Sequence, residues 1–389
     1  MNFTSKKFRI LIATAMSFML FSCEVSSGGS GSPDVPDTPS VPDTPDTPDT
    51  PDDGIYQFHS TVTYLDAGTD GTAGTNGTYC LFGDWPQTIK EQDVEVDETQ
   101  AITMGGAAYY LGSDKNYYAK CRGKAYNSSY TYSNGTAVNN VNVQYFKVEP
   151  IKWRVLNPDA TSGNKILLAE KALTANVPYY GNNDTTSYRK LNETKIYSNN
   201  YKYSNIRAYL NGTANQFVTD GGTASIYDVD WTGKGFFQTA FTATAQGLIV
   251  DTKLDNTAAS TNPASNAELW NSGKNSYACG ETDDKIFLLS EKEVTTIDYG
   301  FADYSVHINY RNGTTQSARV RKPSDFAIAN YAYYNTSDAA YGVWWGLRSP
   351  RYDSSYSESG VNSDGSAVGT YHVSGKNGSV VPALSISAK

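Results

Sequence analysis

A chain of 389 residues carrying 40 Asp and Glu against 31 Lys and Arg has a formal net charge of -9, with 30 Tyr but only three His and four Cys. The acidic balance and the lack of a basic stripe exclude nucleic acid as a partner, because phosphate recognition needs clustered Lys and Arg. The Cys and His stand at no metal-ligand or CxxC spacing, which excludes zinc and thiol redox chemistry, and no cofactor is expected.

In chain order, Lys6, Lys7 and Arg9 lead into the mostly apolar run Ile10 to Phe21. Its twelve residues fall short of the roughly 20 that a spanning helix needs. Residues 1–22 therefore read as an export signal, and no later segment is apolar enough to span a membrane. Leu20-Phe21-Ser22-Cys23 resembles the lipoprotein signature Leu-(Ala/Ser)-(Gly/Ala/Ser)-Cys, with Phe21 departing from it. The resemblance implies acyl chains on Cys23, each buried methylene contributing about 0.8 kcal/mol. It also implies an exported protein anchored to a bacterial membrane, at the outer membrane or cell surface. The alternative is a plain secretory peptide with an incidental cysteine.

Residues 23–53 read as a disordered acidic tether: a Gly/Ser run, then Pro33 to Asp53 in Pro-Asp-Thr repeats with seven Asp. Such a segment buries too little to offset its ordering entropy. Proline at this density favours the extended polyproline form, roughly 65 Å at ~3.1 Å per residue.

Residues 54–389 are expected to form a single globular domain with an insertion over residues 91–142. Its Tyr, Thr, Asn, Ser and Gly favour strands and turns over long helices. Cys80, Cys121 and Cys279 remain besides the anchor cysteine, an odd number in an oxidising compartment, so at most one disulfide forms. Cys80 with Cys121 is the preferred pair, closing a loop around the polar insertion.

Val148 to Leu156 alternates Ile151, Trp153 and Val155 with Lys152 and Arg154, as a half-buried strand does. Lys165 to Leu168 is a short apolar strand. Tyr203 to Val218 reads as a helix capped by Ser204. Phe236 to Ile249 is a second helical patch with a cap near Thr242. Lys285 to Leu289 is an apolar strand running into Ser290-Glu291-Lys292-Glu293, a capping box. Ser324 caps a helix over Phe326 to Tyr331. Asn164 to Lys171 and Asp284 to Lys292 look alike, each reading as a strand that turns into a helix.

Several motifs follow one another along the chain: Phe82-Gly83-Asp84-Trp85-Pro86-Gln87, Pro150-Ile151-Lys152-Trp153-Arg154-Val155-Leu156, Tyr203-Ser204-Asn205-Ile206-Arg207-Ala208-Tyr209-Leu210-Asn211, Asp284 to Glu291, Trp344-Trp345-Gly346-Leu347-Arg348-Ser349-Pro350 and Val380-Val381-Pro382-Ala383-Leu384. Together they resemble an uncharacterised domain of unknown function found in exported lipoproteins of host-associated bacteria, over roughly Thr78 to Lys389. That family runs Trp-Trp-Leu-Arg-Ser-Pro without Gly346 and has Arg where Val381 stands. The closing pattern looks C-type-lectin-like, of the formylglycine-generating type. This resemblance implies an α+β fold, a C-type-lectin-like mixed domain with short helices, twisted antiparallel strands and long loops. It implies ligand binding and carries no established activity.

For catalysis the candidates are few. No nucleophile elbow, zincin motif or P-loop is present. Asp283, Asp284, Glu291 and Asp364 are available for two-carboxylate hydrolysis, yet each also reads as a strand opener, a first-turn residue or a hairpin turn. Asn362-x-Asp364-Gly365 and Glu281-x-Asp283-Asp284 lack a full calcium ligand set, so metal is not expected.

What remains is aromatic display. Tyr331, Tyr333, Tyr334, Tyr341, Tyr352, Tyr356 and Tyr371 crowd around Trp344-Trp345, and tyrosine offers contact area with a polar tip at low entropy cost. With Arg348, the candidate ligand-contacting residues are Tyr331, Tyr333, Tyr341, Tyr352, Tyr356 and Tyr371, although Arg348 also reads as a buried ion-pair residue. The expected function is a non-catalytic surface module of the adhesion type, binding a host or microbial glycan or protein. The alternatives are a structural or antigenic coat lipoprotein and, third, a carboxylate-dependent glycoside hydrolase.

Overall fold

The long strand Gln144–Val155 organises the molecule because it is hydrogen-bonded along both edges. One edge carries Thr78–Ile89 for most of its length, with Cys80 opposite Trp153 and Ile89 opposite Phe146. The other edge is shared end to end by Tyr117–Cys121 and Asn164–Ala169. Residues 54–65, 78–138, 140–180, 188–191, 193–215, 229–262, 279–303, 317–351 and 354–388 are described by the computed structural model. The leader, the tether, Cys23 and Tyr352 lie outside them.

Around this spine runs a nine-stranded sheet, extended by Ala107–Gly112 and Val96–Met104 on the insertion side. On the other side Asn164–Ala169 pairs with Ala383–Ser387, which pairs in turn with Ile286–Phe287. Every pairing in this sheet is antiparallel. A separate three-stranded antiparallel sheet, Trp345–Pro350, Ser357–Val361 and Ala367–His372, carries bulges near Gly346 and Gly360. A parallel bridge from Trp345 to Ser379 leads from it to the segment before the final strand.

The α+β, C-type-lectin-like expectation is therefore corrected. The described residues are mostly β, in several antiparallel sheets, and their longest helix is Asn205–Asn211. The cause is local. Ser204 does cap that helix, its hydroxyl accepting from the Arg207 N–H, but Gly212 ends it at φ 60°. A Cβ at Gly212 would also overlap the Gln238 side chain. The expected continuation to Val218 is thus cut at Asn211. The second patch splits at Phe241 into Phe236–Ala240 and Ala243–Gln246, the latter capped by Thr242 as the sequence implied.

The Ser290 capping box forms with both reciprocal bonds, Glu293 N–H to Ser290 Oγ at 3.2 Å and Ser290 N–H to Glu293 Oε2 at 2.7 Å. It opens only a three-residue 3-10 turn. Of the two look-alike segments, Asn164–Ala169 continues into a second strand at Lys171–Ala172, whereas Ile286–Phe287 leads through the capping box into the 3-10 turn Glu293–Thr295. Their likeness has another physical source: they flank the same final strand. Leu384 faces Leu167 on one side and Ile286 on the other.

The Cys80–Cys121 disulfide is also corrected, because Cys80, Cys121 and Cys279 are all free thiols. Cys80 stands opposite Trp153 and Cys121 opposite Gln144. Nine positions along one strand separate these points by roughly 30 Å, whereas a disulfide needs Cα atoms within about 7 Å. Burial pushes the Cys80 thiol up to about 12, which leaves it inert.

The core packs Trp153, Phe82, Phe241, Phe236 and Trp85 between the sheet and the short helices. The Trp153 indole donates to the Phe82 carbonyl at 2.7 Å, and that of Trp85 to the Leu173 carbonyl at 3.0 Å. Asp84, fully buried, accepts from the His59 N–H at 2.8 Å and from the Tyr56 hydroxyl at 2.6 Å, fastening the first described residues to the sheet. Replacing Trp153 with Ala removes an indole with no exposed surface. The expected loss is about 3–5 kcal/mol of unfolding free energy, read by chemical denaturation; a loss below ~1 kcal/mol would contradict this packing.

Candidate functional site

Five segments converge on an open cleft of about 510 Å³ whose walls are aromatic. Its centre is Trp344, stacked on Tyr371 with ring centroids 3.7 Å apart and planes within 6°. Gly378 is required beneath it, since a Cβ there would stand 2.4 Å from the Trp344 ring. Tyr333 and Tyr341 add rings from the stretch following the helix Asp325–Ala329. Tyr126, from the insertion, supplies another, 43 % exposed.

Polar groups sit between the rings: Asn335, Asn362, Ser363, Asp364 and Asn377. The Asp364-Gly365 turn, with Gly365 at φ 80°, is built as the sequence implied. Asp364 Oδ1 accepts from the Ser366 N–H at 2.9 Å and the Ser366 hydroxyl at 2.6 Å. Asn362 takes the Tyr371 hydroxyl on its carbonyl and gives its amide to Ser366 at 2.9 Å. Burial, then the Asp364 charge, raises the Tyr371 hydroxyl well above its ordinary range, so it stays protonated.

Backbone bonds lock the loops to one another. The Tyr333 N–H donates to the Asn377 carbonyl at 3.0 Å, the Gly342 N–H to the Ser363 carbonyl at 2.8 Å and the Asn335 N–H to the Gly342 carbonyl at 3.0 Å. Below them Arg319, fully buried, donates to the carbonyls of Gly365 at 2.8 Å and of Val294 and Ala302 at 3.0 Å. Its own carbonyl receives the Trp345 indole at 3.2 Å.

The insertion is fastened to the same region. The Lys124 N–H donates to the Ala329 carbonyl at 2.7 Å. The Tyr130 hydroxyl donates to the Tyr334 carbonyl at 2.7 Å and accepts from its N–H at 3.0 Å. Asp325 accepts from the Ser133 N–H at 2.8 Å and from the Ile89 N–H at 3.0 Å. Tyr126 then meets Tyr331 and Tyr333 edge-on at 5.5 and 5.3 Å.

Of the sequence candidates, the structure brings Tyr333, Tyr341 and Tyr371 together in the cleft. Tyr331 stands behind Tyr126, in left-handed backbone at φ 79°. Tyr356 packs on His372 at 5.0 Å. His372 and Tyr371 are strand neighbours that face opposite sides, so Tyr356 is removed from the cleft. Arg348 is the buried ion-pair residue the sequence also implied and not a ligand contact: it is buried, pairs with both oxygens of Glu293 and donates to the Leu288 carbonyl at 3.0 Å. No sequence pattern singles out Tyr126, Asn335, Ser363 or Asn377, which also line the cleft. The signal available for Tyr126 was a lone aromatic in a Lys-Ala-Tyr-Asn-Ser-Ser loop, which does not reveal its distant partners.

The carboxylate candidates scatter. Asp284 is buried in an ion pair with Arg207 at 2.6 Å. Glu291 is buried and accepts from the Ser359 hydroxyl at 3.0 Å. Only Asp364 among the four lines the cleft. Among the described residues no group of three His, Cys, Asp or Glu is arranged to hold a metal.

The family described as a domain of unknown function, DUF6273, matches residues 162–388, more than half of the chain. The chain belongs to this family. No curated protein and no solved structure matches the chain. The DUF6273 region holds every cleft residue named above except Tyr126, which precedes it together with the Phe82–Gln87 and Pro150–Leu156 motifs.

Burial pushes the Glu291 carboxyl up to about 7, so the folded state holds this proton more tightly than the unfolded chain. Its stabilising contribution is full below about pH 4.5, the ordinary glutamate value, and declines as pH rises from there to 7. The expected decline is on the order of 3 kcal/mol. Glu291→Gln should flatten that portion of a pH series of denaturation curves, and an unchanged slope would refute the assignment.

Proposed function

We propose that this chain is an exported, lipid-anchored surface protein whose folded part is a non-catalytic binding module of the adhesion type. Its ligand is a host or microbial glycan or protein, taken in the cleft around Trp344 and Tyr371. The observation that carries this reading is the convergence of five aromatic rings, from the insertion, the stretch after Ala329 and the strand Ala367–His372, on one open, backbone-braced cleft. Braced loops favour binding because less ordering entropy is lost when the ligand arrives. The lining also favours holding over converting, since two-carboxylate hydrolysis needs a second acid and the described lining offers Asp364 alone. Anchoring rests on the leader and on Cys23, with the Pro-Asp-Thr tether lifting the module away from the membrane.

Two measurements test this. The purified full-length chain, applied to a mixed glycan and extracellular-matrix array, is expected to bind specific spots. That binding is lost on joint Tyr333→Ala and Tyr341→Ala substitution and kept in Tyr356→Ala; binding indifferent to the double change removes the cleft from the proposal. In cell fractionation, Cys23→Ala is expected to move the protein out of the membrane fraction. Retention there argues against lipidation at Cys23.

A further inference from the structure

The chemistry of the cleft narrows its ligand, on the reading that the cleft is the binding site. Beside the stacked Trp344–Tyr371 pair, Tyr126, Tyr333 and Tyr341 line the cleft with aromatic rings, whose negative faces attract the weakly positive C–H groups on one side of a pyranose ring. The hydroxyls of Tyr126, Tyr333 and Tyr341 and the amide of Asn377 make no side-chain hydrogen bond to another described residue, so they are available to a hydroxyl-rich ligand. Its volume of about 510 Å³ falls in the range of small-ligand sites, about 300–1,000 Å³.

Charge and backbone discriminate further. Asp364 is the one formally charged residue of the described lining; Arg319 and Lys322 lie behind it, bonded to the Gly365 and Tyr341 carbonyls, so the charge an anionic ligand meets directly is negative. A peptide adding as a strand needs free backbone groups. Here the N–H groups of Tyr333, Asn335 and Gly342 and the carbonyls of Gly342, Ser363 and Asn377 are already bonded between the loops. What faces the ligand is side chains, an arrangement suited to sugar rather than to extended polypeptide.

Tyr126 matters most for selectivity because it stands outside the family region and is placed by its own bracing. We propose that the cleft binds an uncharged sugar residue of a glycan, with Tyr126 of the insertion as the wall that sets which sugar is accepted. The DUF6273 region supplies the Trp344–Tyr371 shelf, and the insertion supplies the Tyr126 wall.

The test is an array of neutral hexose and N-acetylhexosamine oligosaccharides, their uronate, sialylated and sulfated counterparts, and matrix proteins, probed with the full-length chain. Neutral glycans are expected to bind. Tyr126→Ala and Tyr333→Ala are each expected to weaken them at least about tenfold, with melting curves matching the parent. Tyr126→Phe keeps the ring and most of the affinity. Asp364→Asn retains the acceptor for Ser366 while removing the charge, and is expected to admit acidic counterparts. Capture of matrix proteins alone, lost in both Ala variants, would overturn the sugar assignment while leaving the cleft as a binding site. Neutral-glycan binding insensitive to both Ala variants would overturn the cleft itself. Loss in Tyr333→Ala with binding intact in Tyr126→Ala would remove the insertion from the proposal. Acidic glycans bound by the parent as tightly as neutral ones would refute the charge argument.

Discussion

A β-strand with both edges hydrogen-bonded cannot shift by one residue without turning its whole buried face outward, and Gln144–Val155 imposes that constraint on this molecule. Ile151, Trp153 and Val155 are almost fully buried, so its register is fixed by packing as well as by pairing. Because one of its edges is divided between Tyr117–Cys121 and Asn164–Ala169, the insertion is part of the main sheet. That integration is why a loop far from the family region can hold Tyr126 against Tyr333.

From the sheet the support passes to the cleft through buried guanidinium groups and backbone carbonyls. Arg321 donates to the Ala169 carbonyl at 3.0 Å, and its own carbonyl receives the Val343 N–H at 2.9 Å. Arg319 repeats the pattern one bridge further out, joining Trp345 to the turn at Gly365. Both arginines are charged groups removed from water, and burial lowers each from its ordinary value. They are tolerated because several oriented carbonyls replace the lost hydration. The cleft rim is thus irregular in conformation yet closely constrained.

What the sequence revealed was local, and what it hid was long-range. Caps at Ser204, Thr242, Ser290 and Ser324 follow from side chains that reach their own backbone, and all four form. The strands at Lys165–Leu168 and around Trp153 follow from alternation or apolar runs. Helix lengths were overread because Gly212 and Phe241 act through tertiary packing and backbone geometry absent from a periodicity count. Tyr333, Tyr341 and Tyr371 were legible as a crowd of tyrosines near Trp344, but the same criterion admitted Tyr356, which turns to the opposite face. Arg348 reads from the sequence as both a ligand contact and a buried ion-pair residue, and what decides is its partner Glu293, 55 positions away.

The final strand, Ala383–Ser387, fills a gap between Asn164–Ala169 and Ile286–Phe287. Both neighbours precede it in the chain, so until it arrives each keeps an unpaired edge rich in Ile, Leu and Phe. Contacts spanning such long separations close slowly, and open apolar edges are where chains associate wrongly. For a polypeptide emerging in order from one end, this part of the sheet therefore closes later than the pairings among the strands that precede Ala383–Ser387. A chain whose main sheet closes only when that strand is available stays pliable until then.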